Sequence, residues 1–132
     1  MMRVEGLNHV NTIAADISAT VRFYETVLGM EAREIPNVPA GFDGRWIFDR
    51  QGQPIIHVQA HNPERHGPLA DPRSTGMIDH VALTCAGFDS MLSRCSELGL
   101  AHRVNDRQFG NLRQIFVTDP DGVVLELNFP GE

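Results

Sequence analysis

The chain has 132 residues, 42% of them hydrophobic and 21% charged, with a formal net charge of -6. This size and composition fit one folded globular domain, and the excess of acidic over basic residues argues against binding a nucleic-acid backbone. No apolar run suits a membrane span or a secretion signal, so we expect a cytoplasmic protein that binds neither membranes nor nucleic acid. No lysine is present, which excludes Schiff-base catalysis and the phosphate-binding lysine of a P-loop.

The first half of the chain is predicted to form a strand, a helix and three further strands. Residues 7–13 alternate loosely between apolar and polar side chains, as a half-buried strand does. Asp16 or Ser18 can cap a helix whose apolar residues recur every three or four positions, and Gly29 can end that helix in a left-handed conformation. The following strands are predicted at 30–36, 44–50 and 54–60.

A segment rich in proline and glycine, residues 61–76, is predicted to connect this half to a second half of the same order. The second half begins with a strand at 78–84 and continues with a helix that ends at Gly99. Its remaining strands are predicted at 101–105, 112–118 and 123–129. Asp119-Pro120-Asp121-Gly122 predicts the hairpin turn before the last strand, because Pro presets one turn torsion and Gly tolerates a positive one.

Four short strings recur in the same order about 70 residues apart. The pairs are Leu7-Asn8-His9-Val10 with Ile78-Asp79-His80-Val81, Leu28-Gly29 with Leu98-Gly99, Arg45-Trp46-Ile47-Phe48 with Arg113-Gln114-Ile115-Phe116, and Ile55-Ile56-His57-Val58-Gln59 with Val124-Leu125-Glu126-Leu127-Asn128. Because their order and spacing are kept, these strings indicate two copies of one unit in which a strand, a helix and three strands follow each other.

Strand phase places residue types that bind metals on equivalent faces of the two copies. In the last strand of each copy, His57 and Glu126 alternate with apolar residues that face the core. In the first strand of each copy, His9 and His80 alternate with valine. If the two copies pair about a pseudo-twofold axis, all four side chains can converge in one cleft.

Imidazole nitrogen and carboxylate oxygen suit one divalent ion such as Fe, Mn, Ni, Co or Zn, and this set leaves positions open for a substrate. The predicted ligands are His9, His57, His80 and Glu126, and catalytic roles are predicted for His57 and Glu126. His57 can act as a base or as a fourth ligand, because a neutral imidazole titrates at about pH 7. The alternative is that each is an ordinary hydrogen-bonded or solvated strand residue.

The predicted substrate-binding residues are Asn11, Arg45, Gln59, Arg113 and Asn128. The three amides share the inward phase and can orient ligands or substrate through hydrogen bonds. The two arginines occupy corresponding places and can grip a carboxylate or phosphate, or else pair with acidic residues on the surface. Trp46 is predicted to pack toward the helix layer, away from the cleft.

These motifs resemble the vicinal oxygen chelate superfamily, which includes glyoxalase I, bleomycin resistance proteins, fosfomycin resistance transferases, methylmalonyl-CoA epimerase and extradiol dioxygenases. The resemblance covers about residues 5–129 and is carried by the two repeated histidine strings, Phe23-Tyr24 with Leu28-Gly29-Met30, and the Asp-Pro-Asp-Gly turn that leads to Glu126. It implies an α+β fold in which paired βαβββ modules form a curved mixed sheet around a central cleft.

The resemblance also implies one superfamily domain over 1–132, with modules at about 5–60 and 77–129 and a connector at about 61–76. His9, His80 and Glu126 match the common ligand positions for one divalent metal, and His57 lies where glyoxalase has Glu and the epimerase has Gln. A chain of this length in the family more often forms a homodimer, and the modules pair either within one chain or across the dimer.

Individual members of the superfamily differ at a few positions. Phe116 stands where extradiol dioxygenases have a tyrosine and cannot donate a hydrogen bond, and Asn11 stands where the fosfomycin transferases have a threonine. We therefore predict a metal-dependent, glyoxalase-like lyase or isomerase that abstracts a proton from a small substrate with adjacent oxygen atoms. The alternatives are an extradiol-type dioxygenase using Fe(II) and a binding protein without enzymatic activity, like those for bleomycin.

Overall fold

The computed structural model describes residues 1–69, 71 and 74–132, except for the side chains of residues 108 and 109. The chain divides into two compact units, Met1–Leu69 and Ala70–Glu132. Each unit contains a four-stranded mixed sheet and a ten-residue helix. The predicted α+β fold with two βαβββ units is confirmed.

The first unit contains strands β1 (Val10–Ala14), β2 (Glu31–Glu34), β3 (Gly44–Phe48) and β4 (Pro54–Ala60), with helix α1 (Ile17–Thr26) and the short helix α2 (Pro63–His66). The sheet order is β1-β4-β3-β2, with β1 and β4 parallel and the other pairs antiparallel. The Asp16 carboxylate accepts the backbone N–H of Ala19 at 3.2 Å and caps α1. Gly29 has a φ of 66°, which confirms the left-handed stop predicted after that helix.

The second unit repeats this topology with strands β5 (Val81–Thr84), β6 (Arg103–Phe109), β7 (Leu112–Thr118) and β8 (Val124–Phe129) and helix α3 (Phe88–Glu97). The sheet order is β5-β8-β7-β6, with β5 and β8 parallel. The hairpin turn between β7 and β8 is confirmed, because the Asp119 carboxylate accepts the backbone N–H groups of Asp121 and Val123, each at 2.9 Å.

One face of each sheet is apolar and buried. In the first unit, Ile47 and Ile56 are directly opposite each other on β3 and β4 and are at most 3% exposed. In the second unit, Phe88 of α3 packs edge to face on Phe129 of β8, with ring centroids 5.4 Å apart. The other face of each sheet carries the polar residues of the candidate site, so the buried core holds the strands in the register that places those residues.

Several features differ from the prediction, among them strand β6, which spans Arg103–Phe109 instead of 101–105. The first strand of each unit begins later than expected, at Val10 and Val81, so that His9 and His80 lie immediately before a strand. The strand phase does not extend further back because the preceding apolar residues, Leu7 and Ile78, are 86% and 66% exposed. The predicted connector also contains helix α2, which Asn62 caps by accepting the backbone N–H of Glu64. No helix in the described part of the chain has both the length and the hydropathy to cross a membrane.

Candidate metal centre

His57 lies in the middle of β4, and neighbouring strands hold its ring on both sides. Asn11 of β1 is its register partner, and the Asn11 amide nitrogen lies 3.0 Å from His57 Nδ1. Trp46 of β3 is its partner on the other side, with ring centroids 4.5 Å apart and planes inclined by 26°. The other ring nitrogen, Nε2, is buried and has no hydrogen-bond partner among the described residues.

The position of Trp46 corrects the prediction that it packs toward the helix layer. Residues directly opposite each other in antiparallel strands share a face, and Trp46 is opposite His57 while its neighbour Ile47 is opposite the buried Ile56. Trp46 therefore lies on the polar face of the sheet. There its ring also meets that of His9 edge to face, with centroids 4.9 Å apart.

His9 is oriented by the residue that precedes it. Its Nδ1 lies 2.6 Å from the side-chain oxygen of Asn8, so Nδ1 donates its proton and Nε2 carries the free lone pair. The centroids of the His9 and His57 rings are 6.2 Å apart. The first unit thus brings two of the four predicted ligands to one end of its polar face.

In the second unit, His80 and Glu126 are in direct contact. His80 Nε2 lies 3.0 Å from Glu126 Oε2, and His80 Nδ1 lies 2.8 Å from the carboxylate of Asp79. Asp79 therefore orients His80 as Asn8 orients His9. The preceding residue supplies an oxygen to Nδ1 in both copies of the repeated string, which is a common way for proteins to orient a histidine ligand.

Gln114 of β7 is a buried residue of the site that the sequence interpretation missed. Its amide nitrogen donates to Glu126 Oε1 at 2.5 Å and to the Asn128 side-chain oxygen at 2.9 Å, while its oxygen accepts from Asn105 at 3.3 Å. The signal for it was present in the repeated strings, where Gln114 aligns with Trp46. Each residue supports the candidate ligand of the adjacent last strand, Gln114 by hydrogen bonding and Trp46 by stacking.

The imidazoles of His57 and His80 have opposite electrostatic surroundings. Burial lowers the pKa of His57, and the nearby His9 and the positive charge of Arg65 lower it further. The hydrogen bond with Asp79 raises the pKa of His80; burial opposes this increase, and the charge of Glu126 adds to it. His57 is therefore neutral at about pH 7, whereas His80 is held between two carboxylates that favour a cation at this position.

Of the predicted substrate-binding residues, three amides lie on the polar faces. Asn11 contacts His57, Gln59 is buried two residues further along β4, and Asn128 contacts Gln114. The two arginines do not join them. Arg45 is opposite the buried Val58 and bonds Asp43 at 2.7 Å.

Arg113 likewise lies on the helix-facing side of its sheet. It is opposite Phe129, its guanidinium lies 3.6 Å from the centre of the Phe88 ring, and it pairs with Asp106 at 3.0 Å. These contacts correct the strand phase assumed for both arginines, which pair with acidic residues as the alternative prediction stated.

Within neither unit do three or more His, Cys, Asp or Glu side chains of the described residues gather closely enough to hold a metal ion. The first unit carries His9 and His57, and the second carries His80 and Glu126. The donor set of each pair nevertheless suits a divalent metal, since imidazole nitrogen and carboxylate oxygen are the groups that such ions accept.

Comparisons with known proteins agree with this architecture. The family model described as "Glyoxalase/Bleomycin resistance protein/Dioxygenase superfamily" matches residues 6–127. A virulence protein of Salmonella typhimurium is 25% identical over 132 residues, which span 96% of this chain and 85% of that protein.

Two solved structures share the fold. A glyoxylase/bleomycin resistance protein/dioxygenase domain from Frankia sp. is 18% identical, with a TM-score of 0.74 and coverage of 98% of this chain and 96% of that one. A mutant of the fosfomycin resistance protein FosX from Listeria monocytogenes, in complex with Mn(II) and 1S,2S-dihydroxypropylphosphonic acid, is 19% identical, with a TM-score of 0.72 and coverage of 96% and 93%.

Proposed function

Because the chain belongs to the glyoxalase/bleomycin resistance protein/dioxygenase superfamily, we propose that it is a lyase or isomerase that depends on a divalent metal and acts on a small molecule with adjacent oxygen atoms. One observation carries this proposal. His80 Nε2 and Glu126 Oε2 lie 3.0 Å apart. Asp79 holds the other ring nitrogen of His80, Nδ1, and Gln114 holds the other carboxylate oxygen of Glu126, Oε1.

The residues present fit a divalent ion. Asp79 and Asn8 accept from Nδ1 of His80 and His9, which leaves Nε2 of each ring as the metal-binding nitrogen. Glu126 has one oxygen on Gln114 and directs the other at His80, where a cation can replace the shared proton. We propose His9, His80 and Glu126 as ligands of one ion. The complex of FosX with Mn(II) supports a divalent metal in a related fold.

When bound, the ion would supply the positive charge that stabilises a negative substrate oxygen after the neighbouring carbon loses its proton. The chain itself must hold the substrate and take up that proton. Glu126 and His57 are the two candidates for the base, and His57 is also the candidate for a fourth ligand. The polar faces that carry Asn11, Gln59 and Asn128 offer amide donors and acceptors to the substrate.

The position of Phe116 supports proton abstraction over ring cleavage. Its ring is opposite Glu126, with the Arg103 guanidinium 4.0 Å from the ring centre, and it has no hydroxyl that could assist a dioxygenase reaction.

We also propose that the chain forms a homodimer, as the length of the chain and the family resemblance indicate. Light scattering on the purified protein tests that state independently of activity.

Metal analysis of protein purified without a chelator tests the proposal. We expect one equivalent of Fe, Mn, Ni, Co or Zn per chain, either as purified or after reconstitution, and little metal in a Glu126→Ala variant. His102→Ala is the matched control, because His102 is exposed and its Nδ1 lies 2.8 Å from a backbone carbonyl. A folded protein that takes up none of these metals would contradict the proposal and favour a binding protein.

The reaction type needs a second measurement on the metal-loaded protein. Proton abstraction predicts that the metal-loaded protein exchanges the carbon-bound proton of a hydroxy-ketone or hydroxy-acid panel with deuterium from the solvent, as read by NMR. Oxygen uptake coupled to ring opening of a catechol would instead establish the dioxygenase alternative.

A further inference from the structure

The three histidines of the candidate site differ in the group that faces Nδ1. For His9 and His80 this group is an oxygen, of Asn8 at 2.6 Å and of Asp79 at 2.8 Å. For His57 it is the amide nitrogen of Asn11 at 3.0 Å. The residue before His57 is Ile56, which cannot supply a side-chain oxygen, so the partner of His57 comes from the neighbouring strand instead.

This difference determines where the proton of a neutral ring lies. An amide nitrogen only donates hydrogen bonds, so Nδ1 of His57 must accept one and carries no proton. The single proton of the neutral imidazole then lies on Nε2. His9 carries its proton on Nδ1, which leaves Nε2 free to bind a cation, whereas both nitrogens of His80 face a carboxylate oxygen.

Nε2 of His57 is thus a buried N–H for which the described part of the chain offers no acceptor. A buried donor that lacks a partner destabilises the fold, and native proteins keep such groups chiefly where a ligand or a function satisfies them. The group that satisfies an N–H must be an acceptor with a lone pair, such as a substrate oxygen. A metal ion cannot bind a nitrogen that carries a proton.

Resting on the proposed function, we infer that Asn11 holds His57 in its Nε2–H form and that His57 donates a hydrogen bond to a substrate oxygen, rather than acting as the base or as a metal ligand. Asn11 is then a positioning residue, and Glu126 is left as the base. Stacking on Trp46 restricts the plane of the His57 ring, and the contact with Asn11 fixes which ring edge faces β1.

The proton position can be measured in the metal-free protein by long-range 1H–15N correlation of labelled histidines, at about pH 8, where the neutral forms dominate. We expect His57 to show a protonated Nε2 and an unprotonated Nδ1, with its signal assigned by loss in a His57→Gln variant. Two other histidines serve as internal references. His66 Nδ1 accepts a backbone N–H at 3.0 Å and should match His57, whereas His102 Nδ1 lies 2.8 Å from a carbonyl and should show the opposite form.

An Asn11→Asp variant tests the role of the amide, because a carboxylate can only accept. We expect the proton of His57 to move to Nδ1 in this variant, while the signals of His66 and His102 stay unchanged. A protonated Nδ1 in the wild-type protein would overturn the inference, as would an Asn11→Asp variant that leaves His57 unaltered. Neither result depends on metal or activity, so either can fail while the proposed function stands.

Two substitutions of His57 then separate a donor from a base and from a ligand. Gln keeps a side-chain N–H but cannot act as a base, whereas Leu offers neither. Removing even an outer partner of a metal ligand costs about tenfold in affinity, so loss of a ligand itself would cost more. Because we infer that His57 is not a ligand, we expect both variants to bind Mn(II) within about threefold of wild type.

The probe for the hydrogen bond is oxalate, a small anion with adjacent oxygens, titrated into Mn(II)-loaded protein. We expect His57→Leu to weaken oxalate binding by about tenfold, the scale of one hydrogen bond to a charged group, and His57→Gln to retain most of it. Equal loss in both variants would overturn the donor role. Loss of Mn(II) itself would identify His57 as a ligand.

Discussion

At the residue scale, Gln114 shows how much of the candidate site depends on one buried amide. It bonds Asn105, Glu126 and Asn128 and is only 6% exposed. These bonds fix which oxygen of Glu126 remains available to His80. The amide therefore matters both for the stability of the unit and for the geometry of the proposed ligand.

Replacing Gln114 by Leu should affect both properties. We expect the free energy of unfolding to fall by about 2 kcal/mol, because three buried or partly buried partners lose a hydrogen bond. The affinity for Mn(II) should fall about tenfold, the usual cost of losing an outer partner of a metal ligand. Denaturant titration and calorimetry measure these two quantities.

Gln51→Leu is the control for that substitution, because Gln51 lies exposed in the turn before β4 and undergoes the same chemical change. It should alter neither property. If Gln114→Leu destabilises the protein but leaves metal affinity unchanged, Glu126 does not depend on this amide for its orientation.

At the scale of single elements, the two main helices begin in different ways. Asp16 caps α1 with its own side chain, whereas α3 follows Gly87, which has a φ of 89° and no side chain to accept a bond. The carboxylate of Glu132 does this instead and accepts the backbone N–H groups of Gly87 and Phe88 at 2.8 and 2.9 Å. A residue distant in sequence thus performs the function of a helix cap.

Replacing Glu132 by Ala should lower the melting temperature by a few degrees, because the first N–H groups of α3 lose their acceptor. Glu132→Gln is the matched control and should lose less, since its amide oxygen still accepts one bond. Thermal unfolding followed by circular dichroism measures both. Equal melting temperatures for all three proteins would show that solvent satisfies these groups as well as Glu132 does.

The stability that Glu132 contributes should also depend on pH. The backbone N–H groups of Phe88 and Gly87 lower the pKa of this carboxyl from its ordinary value of 4.5. A group whose folded pKa is lowered stabilises the fold above the ordinary pKa, and the effect is lost as pH falls through the lowered value. The difference in melting temperature between wild type and Glu132→Ala should therefore be constant at neutral pH and disappear in acid.

At the scale of the whole molecule, the two units share topology and carry the candidate site residues at equivalent positions. Each supplies one histidine just before its first strand, together with one residue in the middle of its last strand. The copies have diverged in what supports that second residue: Trp46 stacks on His57, and Gln114 bonds Glu126. This divergence is consistent with different roles for His57 and Glu126.

If both histidines hold the same ion, their loss should have equal effects. We expect His9→Ala and His80→Ala each to lower Mn(II) affinity by more than the tenfold to about hundredfold cost of losing an outer partner, as measured by calorimetry. His61→Ala is the control, because His61 bonds the Gly67 carbonyl outside the site. Loss of binding in one variant alone would mean that only one unit carries the metal.

Much of the fold and part of the candidate site could be predicted from the amino-acid sequence, because they depend on patterns within short segments of the chain. The repeated strings established two βαβββ units, Asp16 and Gly29 marked the bounds of α1, and strand alternation placed His57 and Glu126 on polar faces. These features require only propensity, periodicity and turn chemistry.

Only the tertiary structure decided which side chains contact each other, because strand register is a property of pairs of strands and not of one. In the structure, Trp46 stacks on His57 and Gln114 bonds Glu126. Arg45 and Arg113 lie on the helix-facing sides of their sheets. The tertiary structure also sets an amide nitrogen rather than an oxygen against His57 Nδ1. The position of a single proton on that ring follows from a contact across two strands, which no pattern along the chain can specify.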